Sequence, residues 1–210
     1  MSDVLNQYKT YRTSGMFLND RMLKSLNKEK FIRLSNLFKT VAPVYGGDQL
    51  IPLLDTAINE PVIDEISIAR RFFEEERYEN EMEKKILEGL LQSYPSLYQV
   101  KNVSQVENKI YVEDILQNKG EELNFIDSGF SETIKPGLLL FTRIIRLEEF
   151  NISSGFSFVF HPNIQHYLFN RLKKLQKKVP HELESVKRIV AFYAFNQKDG
   201  INVYYDTVEL

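Results

Sequence analysis

The serine pair Ser153-Ser154 stands before Gly155, and His161 follows a few residues later. A serine nucleophile needs a base within hydrogen-bond reach and a further group to orient that base. The sequence places no such partner beside either serine, and a hairpin turn is the better account of Ser153-Ser154-Gly155. The histidines are His161, His166 and His181. A gap of five residues does not bring the first two to one helix face. The chain contains no cysteine, so disulfides, thiolate metal sites and cysteine nucleophiles are excluded. No metal and no cofactor are expected. Gly46-Gly47-Asp48 lies ahead of a helical pattern, where a glycine loop can hold an anion against backbone N–H groups. No Lys or Arg is close by, and Asp48 reads better as a helix cap. Phosphate-loop, dinucleotide, zincin and nucleophile-elbow motifs are absent from the sequence.

One stretch has the character of a partner-binding surface. Arg171, Lys173, Lys174, Lys177 and Lys178 follow one another at spacings that put several on one side of a helix. Such a face could neutralise phosphates. It could also be a solvated face whose lysine stems cover apolar surface. The net charge of the 210 residues is -2, and its distribution is uneven. Residues 1–94 balance to -2, residues 95–161 to -3 and residues 162–210 to +3. A dedicated nucleic-acid binder usually has a stronger basic footprint. The acidic run Glu74 to Glu83 reads as a solvated helix face with partners such as Glu81–Lys85, not as a cation site.

These residues must be positioned by elements, and the hydrophobic period supplies them. Residues 1–94 read as mostly helical. Phe31, Leu34, Leu37, Phe38 and Val41 mark a helix over Asn27 to Thr40 with an uncertain start. Leu50, Leu53, Leu54 and Ile58 mark a short one from Asp48 to Asn59, with Pro52 in its first turn. A helix over Pro61 to Tyr78 turns Ile63, Ile66, Ala69, Arg70 and Phe73 inward, and Met82, Ile86, Gly89 and Leu90 mark the next. From Leu97 to Phe160 the period shortens to that of strands: 97–103, 108–116, 121–127, 138–147 and 156–160. Turns are expected at Glu107-Asn108, Gln117 to Gly120, Pro136-Gly137 and Asn151 to Gly155. Phe156, Phe158 and Phe160 share one face, which is a stacking platform if exposed and a core if buried. Asn163 is expected to cap a helix through Lys178. Residues 181–196 read as a further helix with a short strand or tail after Gly200. A hairpin of 188–195 with 201–208 is the alternative.

The order Pro95-Ser96-Leu97-Tyr98-Gln99-Val100, Ile110-Tyr111-Val112-Glu113-Asp114-Ile115-Leu116, Ile134-Lys135-Pro136-Gly137, then an arginine-bearing strand at Arg143, resembles a β-rich domain of uncharacterised bacterial proteins. Some of those proteins carry a SEC-C zinc tail, which this cysteine-free chain lacks. The resemblance covers about a third of the chain, implies a small β module beside helices, and carries over no catalytic residue. In that frame Asp114 can bond the backbone of its own turn, and Arg143 points outward or pairs with a carboxylate across the sheet. A hydrolytic site built from Asp114, Arg143 and a histidine would require them to converge in space.

The fold expected is α+β. An N-terminal helical region (1–94) precedes a five-stranded curved antiparallel sheet or partly open small barrel (95–161). C-terminal helices follow (162–210). The N-terminus has no signal-peptide pattern and no window is apolar enough to span a bilayer, so a cytoplasmic protein without membrane contact is expected. The leading functional expectation is a non-enzymatic module with a protein partner. RNA or DNA binding through the basic helix 164–178 is the second, and a hydrolase the third.

Overall fold

The computed structural model describes residues 2–201. Helices α1 (Ser2–Leu23), α2 (Lys28–Lys39), α3 (Ile51–Asn59), α4 (Ile68–Glu74) and α5 (Glu81–Gln92) come first. Strands β1 (Pro95–Ser104), β2 (Lys109–Asp114) and β3 (Glu121–Ile126) follow, then α6 (Ser128–Thr133), then β4 (Leu139–Arg146) and β5 (Asn151–Phe160). Helices α7 (Gln165–Gln176) and α8 (Glu184–Asp199) close the described chain.

The five strands form a closed barrel in the order β1-β2-β3-β5-β4. The expected sheet was wholly antiparallel; the barrel instead closes through one parallel pairing, Ile126 of β3 with Ile152 of β5. That order, with a helix between β3 and β4, is a five-stranded Greek-key barrel of the OB type. β1 is long enough to pair with both β2 and β4, with an irregularity between Val100 and Asn102 that bends it from one to the other. Tyr98, Val100, Ile110, Val112, Phe125, Leu140, Ile144 and Val159 fill the interior. Phe130 on α6 is buried with them, and Asp127 caps that helix by accepting the Phe130 N–H (3.0 Å). The sequence reading assigned no element to this segment.

Local chemistry decides several boundaries differently from the hydrophobic pattern. Asn27 caps α2 by accepting the Lys30 N–H at 2.9 Å, which settles its start. Asp48 is not a cap: a single 3-10 turn, Gly47–Leu50, leads into α3, and Pro52 sits in the first turn as expected. The helix expected over Pro61 to Tyr78 shrinks to α4, because the Ser67 hydroxyl takes the Arg70 N–H (3.2 Å) and starts the helix there. Its inner face is Ile68, Ala69 and Phe72, whereas Arg70 is exposed. Asn163 is not the α7 cap either; it lies in a 3-10 turn, Pro162–Ile164. The turn expected at Asn151 to Gly155 is strand: the chain reverses earlier, where Leu147 N–H meets the Phe150 carbonyl (3.1 Å). Gly155 sits inside β5 at φ +104, beside the register shift between Thr142 and Ile144. Residues 184–199 are helical rather than a hairpin. Ile201 bridges Val159, and the remainder of the expected terminal strand lies outside the described residues.

Helices cover the barrel in two ways. α2, α3, α7 and α8 share a core with Leu97, Leu139, Phe141, Phe156, Phe158 and Phe160. α1, α4 and α5 share another with Ile126, Ile145, Phe150 and Ile152. At Gly89 of α5 a Cβ would fall 2.7 Å from Ile145 Cγ2 and 2.8 Å from the Arg146 carbonyl, so glycine permits this helix to touch β4.

Candidate functional site

α7 is amphipathic. Leu168 and Leu172 face the core, and Arg171, Lys173 and Lys174 are exposed; the helix ends at Gln176 rather than at Lys178 as expected, so Lys177 and Lys178 are exposed in the turn that follows it. No carboxylate lies within ion-pairing distance of any of the five among the described residues, although Lys187 on α8 pairs with Glu184 (2.8 Å). The aromatic rings on this side carry cations of their own chain. Lys119 lies 5.9 Å from the Phe169 ring and Lys198 lies 5.6 Å from the Tyr167 ring. Phe156, Phe158 and Phe160 are core residues and form no stacking platform. On the outer face of β2 and β3 Glu113 stands opposite Glu122, with Glu107 at one end, whereas Glu121 points the other way and pairs with Arg146 (2.7 Å). Lys101 and Lys109 offset part of that charge by pairing with Glu113 and Glu107.

The serines do not meet a histidine. Ser153 is buried, and its hydroxyl donates to Asp127 Oδ2 (2.7 Å). His161 lies eight residues on, just past the end of β5, and makes no hydrogen bond with either serine. Asp114 and Arg143 do not pair either. Asp114 is fully buried, and its Oδ1 accepts the Ser96 hydroxyl (2.7 Å) and the N–H groups of Leu116 and Gln117 (both 2.9 Å). The expected turn-capping role of Asp114 is thus observed.

Arg143 does find carboxylates, but from the helical layer and not across the sheet. It is 1% exposed; its Nε donates to Asp55 Oδ2 (3.1 Å) and its Nη2 to Glu60 Oε1 (2.7 Å). Its Nη1 reaches the Ser93 carbonyl (3.2 Å), and Ser185 of α8 donates to the other Glu60 oxygen (2.6 Å). Burial pulls the guanidinium pKa down, and the two carboxylates outweigh it, so the pKa lies above the ordinary arginine value. The cluster ties α3, β4 and α8 together. Asp55 and Glu60 escaped the sequence reading. The available signal was a lone carboxylate in the apolar run Leu53-Leu54-Asp55-Thr56-Ala57.

The acidic run also has a buried member. Glu83 accepts from Arg21 Nη1 (3.0 Å) and from the Glu79 N–H (2.7 Å). Burial raises its pKa, but these hydrogen bonds outweigh that and hold it below the usual glutamate value. Lys85 pairs with Glu148 (2.9 Å) and not with Glu81.

Beside the Arg143 cluster, α1, α3 and α5 meet β4 and β5 around a cavity of about 220 Å³. Its walls are mostly aliphatic, with Ile58, Ile86, Leu90, Ile145 and Ile152 prominent. Arg12, Asp55, Asn59 and Ser154 add polar groups to the lining. The sequence reading marked Ile58, Ile86 and Leu90 only as inward helix faces and Ser154 only as a turn residue, and it did not join them, since the lining comes from five separate elements.

Among the described residues no cluster of three or more His, Asp or Glu side chains could hold a metal ion. No described helix is long and apolar enough to cross a membrane. Nothing matches the chain among curated proteins or among solved structures. A family model does match, described as a family of unknown function (DUF7986), and it aligns with residues 2–206, spanning the helical layer, the barrel and α8 together. The chain belongs to that family of unknown function.

Proposed function

We propose that the chain is a non-enzymatic protein-interaction module that docks an acidic segment of a partner on the exposed face of α7. The observation that carries this reading is the row Arg171, Lys173, Lys174, Lys177 and Lys178, exposed and without carboxylate partners of its own. Uncompensated cations along the end of a helix and the turn after it attract an anionic partner and orient it on encounter. One feature favours a protein over a nucleic acid: the rings on α7 are occupied by Lys119 and Lys198 rather than open for bases. The polar groups a hydrolase would use support binding rather than turnover, since Ser153, Asp114 and Arg143 are each held by separate internal partners. The likeness of residues 95–160 to the β-rich bacterial domain adds a module, not an activity.

The test is a fluorescence-anisotropy titration with a labelled peptide of about a dozen residues rich in Glu and Asp. The quadruple change Lys173→Glu, Lys174→Glu, Lys177→Glu and Lys178→Glu alters only exposed residues and leaves the fold intact. It is expected to weaken binding by at least about tenfold and to remove its salt dependence. Unchanged affinity in that variant overturns the assignment to α7.

A further inference from the structure

The cavity between α1, α3, α5 and the barrel is drawn out along α1. Its lining there is Arg12, Gly15, Met16, Asn19 and Leu23, one face of the helix, which covers about 16 Å. The facing walls are aliphatic. Met16 and Ile51 line the same space and are exposed, which places its mouth at the surface between α1 and α3. Arg12 marks one end. It is partly buried, and its Nη1 donates to the Ser153 carbonyl (3.1 Å), which fixes the guanidinium there. Its Nε and Nη2 make no hydrogen bond among the described residues, and no carboxylate of those residues lies within ion-pairing distance. Arg21, Arg71, Arg143 and Arg146, the other partly or fully buried arginines apart from Arg188, each pair with a carboxylate. Arg188 also lacks one, but it does not line the cavity. The carboxylates around Arg12 are engaged elsewhere. Asp55, on the cavity wall, is held by Arg143 (3.1 Å), and Asp127, beyond Ser153, accepts the Ser153 hydroxyl (2.7 Å).

We propose that this cavity binds a single-chain carboxylate of medium length, an acyl anion of about eight carbons, with its head group on Arg12 and its chain along α1. The free Nε–Nη2 edge of a guanidinium takes a carboxylate through two parallel charge-assisted bonds. The aliphatic walls take the chain. An apolar cavity of about 150 Å³ accommodates benzene, so about 220 Å³ suits a body of about nine heavy atoms. The stretch of that space along one helix face favours a chain over a wide ring system. The head group stays at a partly exposed end, so its charge is paired without full loss of water. No lining residue comes from α7, so this site stands or falls separately from the docking face.

The experiment uses the full chain with isoleucine δ1-methyl labelling at neutral pH, titrated with octanoate and, in parallel, with n-octanol and with acetate. Octanoate is expected to shift the Ile58, Ile86, Ile145 and Ile152 methyl signals saturably. The alcohol keeps the chain without the charge and is expected to bind about tenfold more weakly. Acetate keeps the charge without the chain and is expected to leave these signals in place. Arg12→Gln is expected to lower the octanoate affinity about tenfold and leave that of the alcohol unchanged. A Cβ at Gly15 would make ordinary contact with Ile86 Cδ1 (3.8 Å), so Gly15→Leu fills the cavity from its helix and is expected to abolish both responses. Arg12→Gln changes a partly exposed side chain and decides the matter alone should Gly15→Leu not fold. Absence of saturable shifts with octanoate, equal affinities for octanoate and the alcohol in the unaltered chain, equal shifts with acetate, octanoate affinity unchanged in Arg12→Gln, or shifts that persist in a folded Gly15→Leu would each overturn the proposal.

Discussion

α8 seals one side of the barrel with a stack of aromatic rings, whereas α1, α4 and α5 cover another side with aliphatic side chains mixed with Tyr8, Tyr11 and Phe72, and a cavity remains there. Phe192 stacks on Phe141 with centroids 4.0 Å apart, and Phe160 and Phe195 pack on Phe192 at 6.0 and 5.6 Å. Tyr193 packs edge-on against Phe38, and its hydroxyl donates to the Pro43 carbonyl (2.8 Å), so its one polar atom is satisfied. On the other side contact depends on a glycine, Gly89, and two polar atoms lack partners. Arg143 stands between the two coverings, linked to α3 on one side and through Glu60 to Ser185 of α8 on the other.

The contrast can be broken most strongly at its filled end. Phe192→Ala removes the central ring of the stack and is expected to cost about 3–5 kcal/mol, read as a lower denaturant midpoint at unchanged slope. Gly89→Ala acts on the other side by the opposite mechanism. Its methyl must push Ile145 and the Arg146 carbonyl away, at a cost of about 1–3 kcal/mol. A loss below a few tenths of a kcal/mol would show that α5 is free to move off β4. Two hydroxyl deletions sharpen the comparison. Thr142 donates to the Phe156 carbonyl (2.7 Å), so Thr142→Val is expected to cost about 1 kcal/mol. Ser154 has no partner, so Ser154→Ala is expected to be neutral or slightly stabilising. Equal losses at the two positions would contradict the difference between a partnered and an unpartnered buried hydroxyl.

The smallest effect belongs to a partly exposed ion pair. Asp64 accepts from Lys30 (2.6 Å) and Arg71 (2.7 Å), which hold its carboxyl below the usual aspartate value. A depressed folded pKa gives stability that is present above the unfolded value, about 3.9, and lost as pH falls through the folded one. Asp64→Asn is therefore expected to flatten the acid limb of a stability–pH profile below about pH 4, with a change under about 1 kcal/mol at neutral pH. A variant whose acid limb keeps its full slope would show that Asp64 has no part in it.

Patterns carried by neighbouring residues were legible in the sequence; pairings between distant ones were not. The alternation of Phe156, Phe158 and Phe160 and the turn at Pro136-Gly137 are local and appear where expected, and the basic helix appears as α7, ending two residues earlier than its pattern suggested. Caps were legible only in part, because Asn27, Ser67 and Asp127 compete with other polar residues nearby for the same role. The parallel closure rests on Ile126 and Ile152, and neither residue type encodes strand direction. Arg143 was visibly out of place on an apolar strand, but Asp55 lies 88 positions away, and nothing local joins the two. The cavity is harder still, since its polar groups come from α1, α3 and β5 and each reads alone as an ordinary residue.

The most direct test of the account is a paired anisotropy titration of the unaltered chain, with the acidic peptide and with a labelled single-stranded RNA of equal charge and mixed sequence, at low and moderate salt. The account predicts saturable binding of the peptide that persists at moderate salt, with RNA weaker at both. RNA binding that exceeds the peptide, with affinity falling steeply as salt rises, would contradict it and make α7 a nucleic-acid contact instead.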